Sequence, residues 1–212
     1  MRTYILSLII FMGCAYSLSS QSVSKSVLHK TAPDSFRVEF QTTQGSFTVE
    51  AYRNWSPEGV DRLYQLVMTD FYDSAAIFRV QPDYVVQFGI SPSPDVNDFW
   101  DRHPLEDEPV KVSNKNGRIS YAREGPLSRT TQLFINCNDN PKLDTVQFNN
   151  LRGFAPVAQI VDGFEVIKSF YSEYGFEPAN KQDSVYKLGN VYLKKHYPEL
   201  DYILKTKMIK EK

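Results

Sequence analysis

Three histidines, two cysteines and a short acidic run are the side chains of this 212-residue chain that most directly invite chemistry. His29, His103 and His196 are far apart in sequence, and none stands beside a nucleophile motif. The G-x-S-x-G elbow, the G-x-G-x-x-G and G-K-[ST] phosphate loops and the H-E-x-x-H zinc motif are all absent. This argues against a Ser-His-Asp hydrolase, a nucleotide-dependent enzyme and a His-ligated zinc enzyme. Cys137 has no histidine near it in sequence and reads as a small buried or half-buried residue. Glu106, Asp107 and Glu108 lack the alternating ligands and turn glycine of a calcium loop, so they read as a solvated face. Arg79, set between apolar Phe78 and Val80, reads by itself as a surface charge on a strand. Any chemistry left to the chain works without metal, cofactor or histidine base.

The composition agrees with a folded enzyme or binding domain. Hydrophobic residues make up 42% and charged residues 23%, which excludes a disordered chain, a collagen-like repeat and a multi-span membrane protein. With 24 basic and 25 acidic side chains, nothing marks a surface for nucleic acid or an anionic membrane. Arg2 followed by the apolar run Tyr4 to Met12 has the charged start and short core of a secretory signal, too short to span a bilayer. Residues 1–20 are therefore expected to direct export, to the periplasm or outside the cell. Cleavage near Ser19 or Ser20 and lipid attachment at Cys14 both stay open. Either route leaves Cys137 alone, so no internal disulfide is expected.

Most of the remaining chain reads as short strand-like runs, alternating at 36–41 and 46–52. Residues 21–35 are rich in Ser and Lys and read as a tether. Short strand patterns follow at 36–41, 46–52, 76–80, 84–88, 117–122, 131–136 and 156–161, the first two separated by the turn signal Gln44-Gly45. Ser56 and Pro57 open a helix over 57–69, with Val60, Leu63, Tyr64 and Val67 on one face. A second helix is expected after Asp162, running through Phe164, Ile167, Phe170 and Tyr171. Residues 91–116 read as a long polar connection, functional or wrapped on the surface. A third helical pattern spans 183–196, and 200–208 reads as a terminal strand. Strands predominate and βαβ alternation is absent, so an antiparallel barrel or sandwich with two packed helices is predicted.

Two stretches carry a family resemblance. Ile77-Phe78-Arg79-Val80 followed by Tyr84-Val85-Val86-Gln87-Phe88-Gly89 resembles the first signature of the cyclophilin-type peptidyl-prolyl isomerases. Gly117 to Ala122, Gly125-Pro126 and Thr131-Gln132-Leu133-Phe134-Ile135 match the second in order and spacing. Phe154 to Ile167 is similar to the approach to the family's second helix. The resemblance implies a closed, eight-stranded antiparallel barrel over 36–175. Residues 176–212 are similar to a C-terminal helix-strand extension of some exported bacterial cyclophilins, read here as packing on the barrel. It further implies a monomer without cofactor or metal, acting on Pro-containing unfolded or folding polypeptides.

For such an isomerase, Arg79 is the residue expected to stabilise the twisted prolyl amide, with Gln87 holding its guanidinium. The resemblance implies that Tyr84, Val85, Phe134, Leu143 and Phe154 line an apolar proline pocket. It places Ala122, Arg123, Gln132 and Leu133 along the peptide groove. By strand parity Val85 and Gln87 share a face, as do Gln132 and Phe134, whereas Tyr84 has the opposite parity. The chain also departs from the family pattern. Phe78 replaces a His, Val85 a Met, Phe88 a Gly, Phe154 a rim His and Lys142 a rim Trp, and residues 145–153 look inserted. These changes keep a second reading open: a weakly catalytic or non-catalytic module that holds Pro-containing segments, chaperone-like.

Overall fold

The computed structural model describes residues 23–148 and 151–211. The expected export signal at 1–20 and Cys14 lie outside the described residues. The strands of the main sheet are β1 (Ser35–Thr42), β2 (Gly45–Tyr52), β3 (Ile77–Gln81), β4 (Val85–Phe88), β5 (Arg118–Tyr121) and β6 (Leu133–Asn136). A small hairpin, β7 (Gln147–Phe148) with β8 (Leu151–Arg152), precedes the last two main strands, β9 (Pro156–Asp162) and β10 (Ile203–Glu211). The helices are α1 (Pro57–Met68), α2 (Pro94–Asp101), α3 (Phe164–Lys168), α4 (Gln182–Leu188) and α5 (Asn190–His196).

Eight antiparallel strands run in the order β10-β1-β2-β9-β5-β6-β4-β3. The alternation that predicted β1 is the one observed, with Phe36, Val38 and Phe40 buried and Arg37, Glu39 and Gln41 turned outward. Phe40, Tyr72 and Phe88 meet in the interior, ring centroids 5.5–5.9 Å apart, and Phe47 stacks on Phe40 at 5.0 Å. Val60, Leu63 and Leu66 of α1 and Ile167 of α3 complete this core.

The expected closed barrel is not formed. The sheet curls into an open half-barrel whose edge strands, β10 and β3, touch at one isolated bridge, Ala76 to Tyr202. Beyond that bridge the edges separate, and the carboxylate of Asp73 takes the backbone N–H of Thr206 at 2.8 Å in place of a strand partner. The C-terminal strand is also no appendage. It pairs with β1 from Phe36 to Thr42 and forms one edge of the sheet itself.

Several other expectations change for local reasons. In place of the tether expected over 21–35, the chain docks on α1 from Ser24 onward. Gln65 donates to the carbonyls of Leu28 and Lys30, and Asp61 accepts from the N–H of Ala32. The polar connection 91–116 contains α2, which packs Val96 and Trp100 inward after a Pro94 start. The second helix ends at Lys168, because the N–H of Tyr171 is captured by Asp201 at 2.7 Å. The third is split into α4 and α5 at Gly189, whose φ of +56° and close approach to the Pro92 carbonyl leave no room for a Cβ. Of the acidic run, Glu106 is exposed, but Asp107 and Glu108 do not form the expected solvated face. Glu108 accepts from the N–H groups of Glu58 and Gly59 and from the Ser56 hydroxyl, so it caps α1 from across the fold. It also pairs with buried Arg129 at 3.1 Å, while Asp107 bridges to Arg123.

Residues 176–200 cover the outer side of β3. There Phe78, Ala76 and Ile90 form a second apolar cluster with Ala179, Val185, Leu193, Tyr197 and Leu200.

Candidate active site

The candidate site grows from an irregularity in the β3–β4 ladder. Ile77 is opposite Phe88 and Arg79 is opposite Gln87, which leaves Phe78 as an extra, bulged residue. The bulge lets Ile77 point into the main core and Phe78 into the outer cluster, both buried. Arg79 is then presented on the same face as Gln87. Gln87 in turn faces Phe134 across the β4–β6 ladder.

The guanidinium of Arg79 is held from two sides. Nη1 donates to Oε1 of Gln87 at 3.0 Å, and Nε donates to Oε1 of Gln81 at 2.8 Å, an oxygen that Nη2 shares. One face lies 4.6 Å from the ring centroid of Phe176, with Tyr84 at 5.7 Å. Burial lowers the pKa of the guanidinium from its usual value, and Tyr84 opposes the shift. Because Arg79 can only donate, Gln87 must turn its oxygen to it and its amide N–H₂ away. That amide donates to Oε1 of Gln132 at 2.9 Å. The amide of Gln132 donates onward to Oε1 of Gln182 at 2.7 Å and to the hydroxyl of Tyr186 at 3.1 Å. Burial together with the nearby Asp101 carboxylate pushes the Tyr186 phenol up to about 12, so it stays protonated. The amide chain is therefore anchored at its Arg79 end by a group that can only donate.

Beside this chain lies an apolar hollow. Val85, Phe134, Leu143 and Phe154 line it, the two phenyl rings meeting edge to face at 5.5 Å. Leu143 is carried by a one-turn helix at Pro141–Asp144, and Asp144 anchors that turn. Its carboxylate accepts from the Ser113 hydroxyl at 2.5 Å and from the backbone and side-chain amides of Asn114 at 2.7 and 2.8 Å. Burial alone would raise the pKa of Asp144, but these donors and the charge of Arg118 hold it below the usual carboxylate range. Gly153, at φ +68° and with no space for a Cβ, brings the chain back against the Asp144 carbonyl and sets Phe154 on the rim.

The hollow and the amide chain open into one groove of about 570 Å³. Of the expected residues, Arg79, Tyr84, Val85, Gln87, Ala122, Arg123, Gln132, Phe134, Leu143 and Phe154 all line it. Leu133 does not. It is 1% exposed and turned into the main core, the opposite parity from Gln132 and Phe134. Arg123 lines the groove with its guanidinium fixed, stacked 5.1 Å from Phe154 and bonded to the Gly153 carbonyl and Asp107. Lys142 is exposed next to Leu143, and the apparent insertion holds the β7–β8 hairpin. The sequence reading missed Gln81, Phe176, Gln182, Asp183 and Tyr186, all but Gln81 groove-lining residues of the C-terminal segment. Gln81 was legible in part, since strand parity puts it on the face of Arg79. The others are distant in sequence, and no local pattern brings them here.

A rigid donor beside an apolar hollow suits the binding of a small apolar ring next to a polarised amide, and comparison with known proteins gives this meaning. The family profile described as "Cyclophilin type peptidyl-prolyl cis-trans isomerase/CLD" matches residues 37–189. The chain belongs to this family. Similar proteins include a peptidyl-prolyl cis-trans isomerase of Acinetobacter baylyi, 27% identical over 132 residues, covering 61% of this chain and 69% of that protein. The peptidyl-prolyl cis-trans isomerase-like 3 of Neurospora crassa is 29% identical over 143 residues, covering 62% and 86%. Among solved structures, a cyclophilin-type isomerase of Cryptosporidium parvum superposes with a TM-score of 0.56 at 17% identity, covering 84% of this chain and 99% of that one. The cyclophilin AquaCyp293 of Hirschia baltica gives 0.57 at 14% identity, covering 89% and 81%. The chain is thus a peptidyl-prolyl cis-trans isomerase on a cyclophilin fold.

Proposed function

We propose that this cyclophilin-type isomerase turns X-Pro bonds in the groove described above, with Arg79 stabilising the twisted amide. Rotation about a peptide bond is opposed by ~18–20 kcal/mol, because the C–N bond has partial double-bond character. X-Pro bonds populate both isomers, yet exchange unaided over tens to hundreds of seconds. A catalyst must fit the twisted amide better than either planar form. On twisting, the prolyl nitrogen regains a lone pair, and a fixed donor aimed at it lowers the barrier.

The observation that carries this reading is the hold on Arg79. Of its five N–H donors, Gln81 and Gln87 engage three, leaving one on each of Nη1 and Nη2. In the proposed complex the proline ring sits among Tyr84, Val85, Phe134, Leu143 and Phe154, and the chain runs past Ala122, Arg123 and Gln132. No bond is made or broken covalently, so no cofactor is needed. A related structure, that of the Cryptosporidium parvum protein, was solved in the presence of the dipeptide Ala-Pro, which is the chemistry this hollow would accept. With residues 1–20 read as an export signal, the substrates are folding polypeptides beyond the cytoplasm.

A coupled assay of cis-to-trans exchange on short X-Pro peptides tests the reading. Acceleration that saturates with peptide is expected. A rate equal to the uncatalysed one across varied X would leave a proline-binding module in its place.

A further inference from the structure

The C-terminal segment does more than cover Phe78. It reaches the groove at two points that converge on one side chain. Phe176 lies on the face of the Arg79 guanidinium, and Gln182 with Tyr186 terminates the amide chain that begins at Arg79. Each contact removes a freedom that a strand-borne arginine would otherwise keep. The Phe176 ring stops the guanidinium swinging out of the groove. The Gln182 oxygen gives the Gln132 amide an acceptor, which keeps the Gln132 oxygen toward Gln87 and the Gln87 oxygen toward Arg79. Gln81 supports the same orientation from within β3.

We propose that residues 176–186 are an integral part of the catalytic site, with Phe176 and Gln182 acting as positioning residues that hold Arg79 in its working orientation. This rests on the reading of the groove as the isomerase site and adds to it a requirement for the C-terminal segment. Phe176 remains 44% exposed beside the two uncommitted N–H groups of Arg79, so little of its burial serves the core. The carboxamide oxygen of Gln182 accepts from the groove amide of Gln132. An arginine freed from either contact still carries its charge but spends less time aimed at the prolyl nitrogen. Its loss should therefore appear in kcat, since the contact acts in the transition state, and much less in KM.

The test uses the full chain, because removing the segment would also remove β10. Phe176→Ala and Gln182→Ala are each expected to lower kcat about three- to tenfold with KM within twofold. Phe176→Tyr, which restores a ring, should recover most of the rate. Thermal midpoints of the variants should stay close to that of the parent. An unchanged kcat in both alanine variants, or a rise in KM alone, would overturn the proposal and make the segment a plain groove wall. A second readout does not depend on turnover. The Arg79 Nε–H resonance should be sharp and shifted by the Phe176 ring in the parent, and should broaden in both alanine variants. If the parent shows no isomerase activity, the functional reading fails by itself, and this resonance still decides whether the segment holds Arg79. A signal that is identical in parent and variants would refute that hold.

Discussion

At the scale of single residues, the groove separates charge from shape. Arg79 contributes a planar fork whose spacing matters as much as its charge, because two acceptors engage it at once. Arg79→Ala should lower kcat by roughly 100-fold, the usual cost of losing one donor aimed at developing charge. Arg79→Lys should recover little of that, since an ammonium cannot hold both glutamines and still face the amide. Stopped-flow exchange rates on one X-Pro peptide would show this, and a lysine variant as fast as the parent would defeat the fork argument. The rim makes a separate prediction. The family resemblance implies that Lys142, which is exposed, stands where many cyclophilins carry the rim tryptophan that binds cyclosporin. Losing a buried aromatic contact commonly costs on the order of 2 kcal/mol, and ~1.4 kcal/mol is tenfold in affinity. Isomerase activity should therefore resist cyclosporin, and Lys142→Trp should regain part of the sensitivity. Tight inhibition of the parent would show that Lys142 has been wrongly matched to the tryptophan.

Elements position these residues through carboxylates set far from them in sequence. Glu108 caps α1 and neutralises Arg129, whose side chain is 4% exposed. Glu108→Ala strands that buried cation as well as two backbone donors. Its cost should be about 3 kcal/mol in denaturant unfolding, with Glu108→Gln costing less because it keeps an acceptor for the helix. Asp144 makes the turn that carries Leu143 sensitive to pH. Its pKa lies lower in the folded state than in the unfolded chain, where ~3.9 is usual. Its contribution to stability is therefore complete above about pH 4 and is lost as pH falls through the depressed folded value. The rim at 140–154 should loosen in that acidic window, visible as a shift of the Leu143 methyl resonances. Asp144→Asn should show lower stability near neutrality and a flatter acid limb. Parallel acid limbs in parent and variant would assign the transition to other carboxylates.

Across the whole molecule, the open side of the half-barrel is secured by the C-terminal part of the chain. Asp201 is the latch. Its carboxylate accepts from Thr43 at 2.6 Å, Gln44 at 2.9 Å and Tyr171 at 2.7 Å, joining the β1–β2 turn, the end of α3 and the start of β10. Its backbone carbonyl takes the N–H of Ile77 at the foot of β3. Asp201→Ala should cost about 2–4 kcal/mol, since three donors lose one buried acceptor. Urea unfolding would measure it, and a loss below about 0.5 kcal/mol would mean that the seam is held by β10 pairing alone. Because the seam runs into β3, this variant should also reduce isomerase activity before it unfolds. The fold and the site thus share the same C-terminal anchor.

Sequence alone carried the strands and the groove but not the closure. Strand patterns located all eight main strands, β1 by its alternation and β4 and β6, which are buried on both faces, as short strand-like runs. Ser56-Pro57 and the apolar stripe located α1, and the resemblance located ten groove residues, eight of them inside the two signature stretches. Leu133 was misplaced because a match to a family string ignores parity, which the β4–β6 ladder enforces. The helix α2 was hidden by the surrounding prolines, although Ser93-Pro94 and the spacing of Val96 and Trp100 were there to be read. What only tertiary structure decided is where distant segments meet. The half-barrel's open seam, the long-range cap from Glu108, and the approach of Phe176 and Gln182 to Arg79 join residues from tens to well over a hundred positions apart. Local periodicity reports which side of an element is buried, not what buries it, and the partner is chosen by packing of the whole chain.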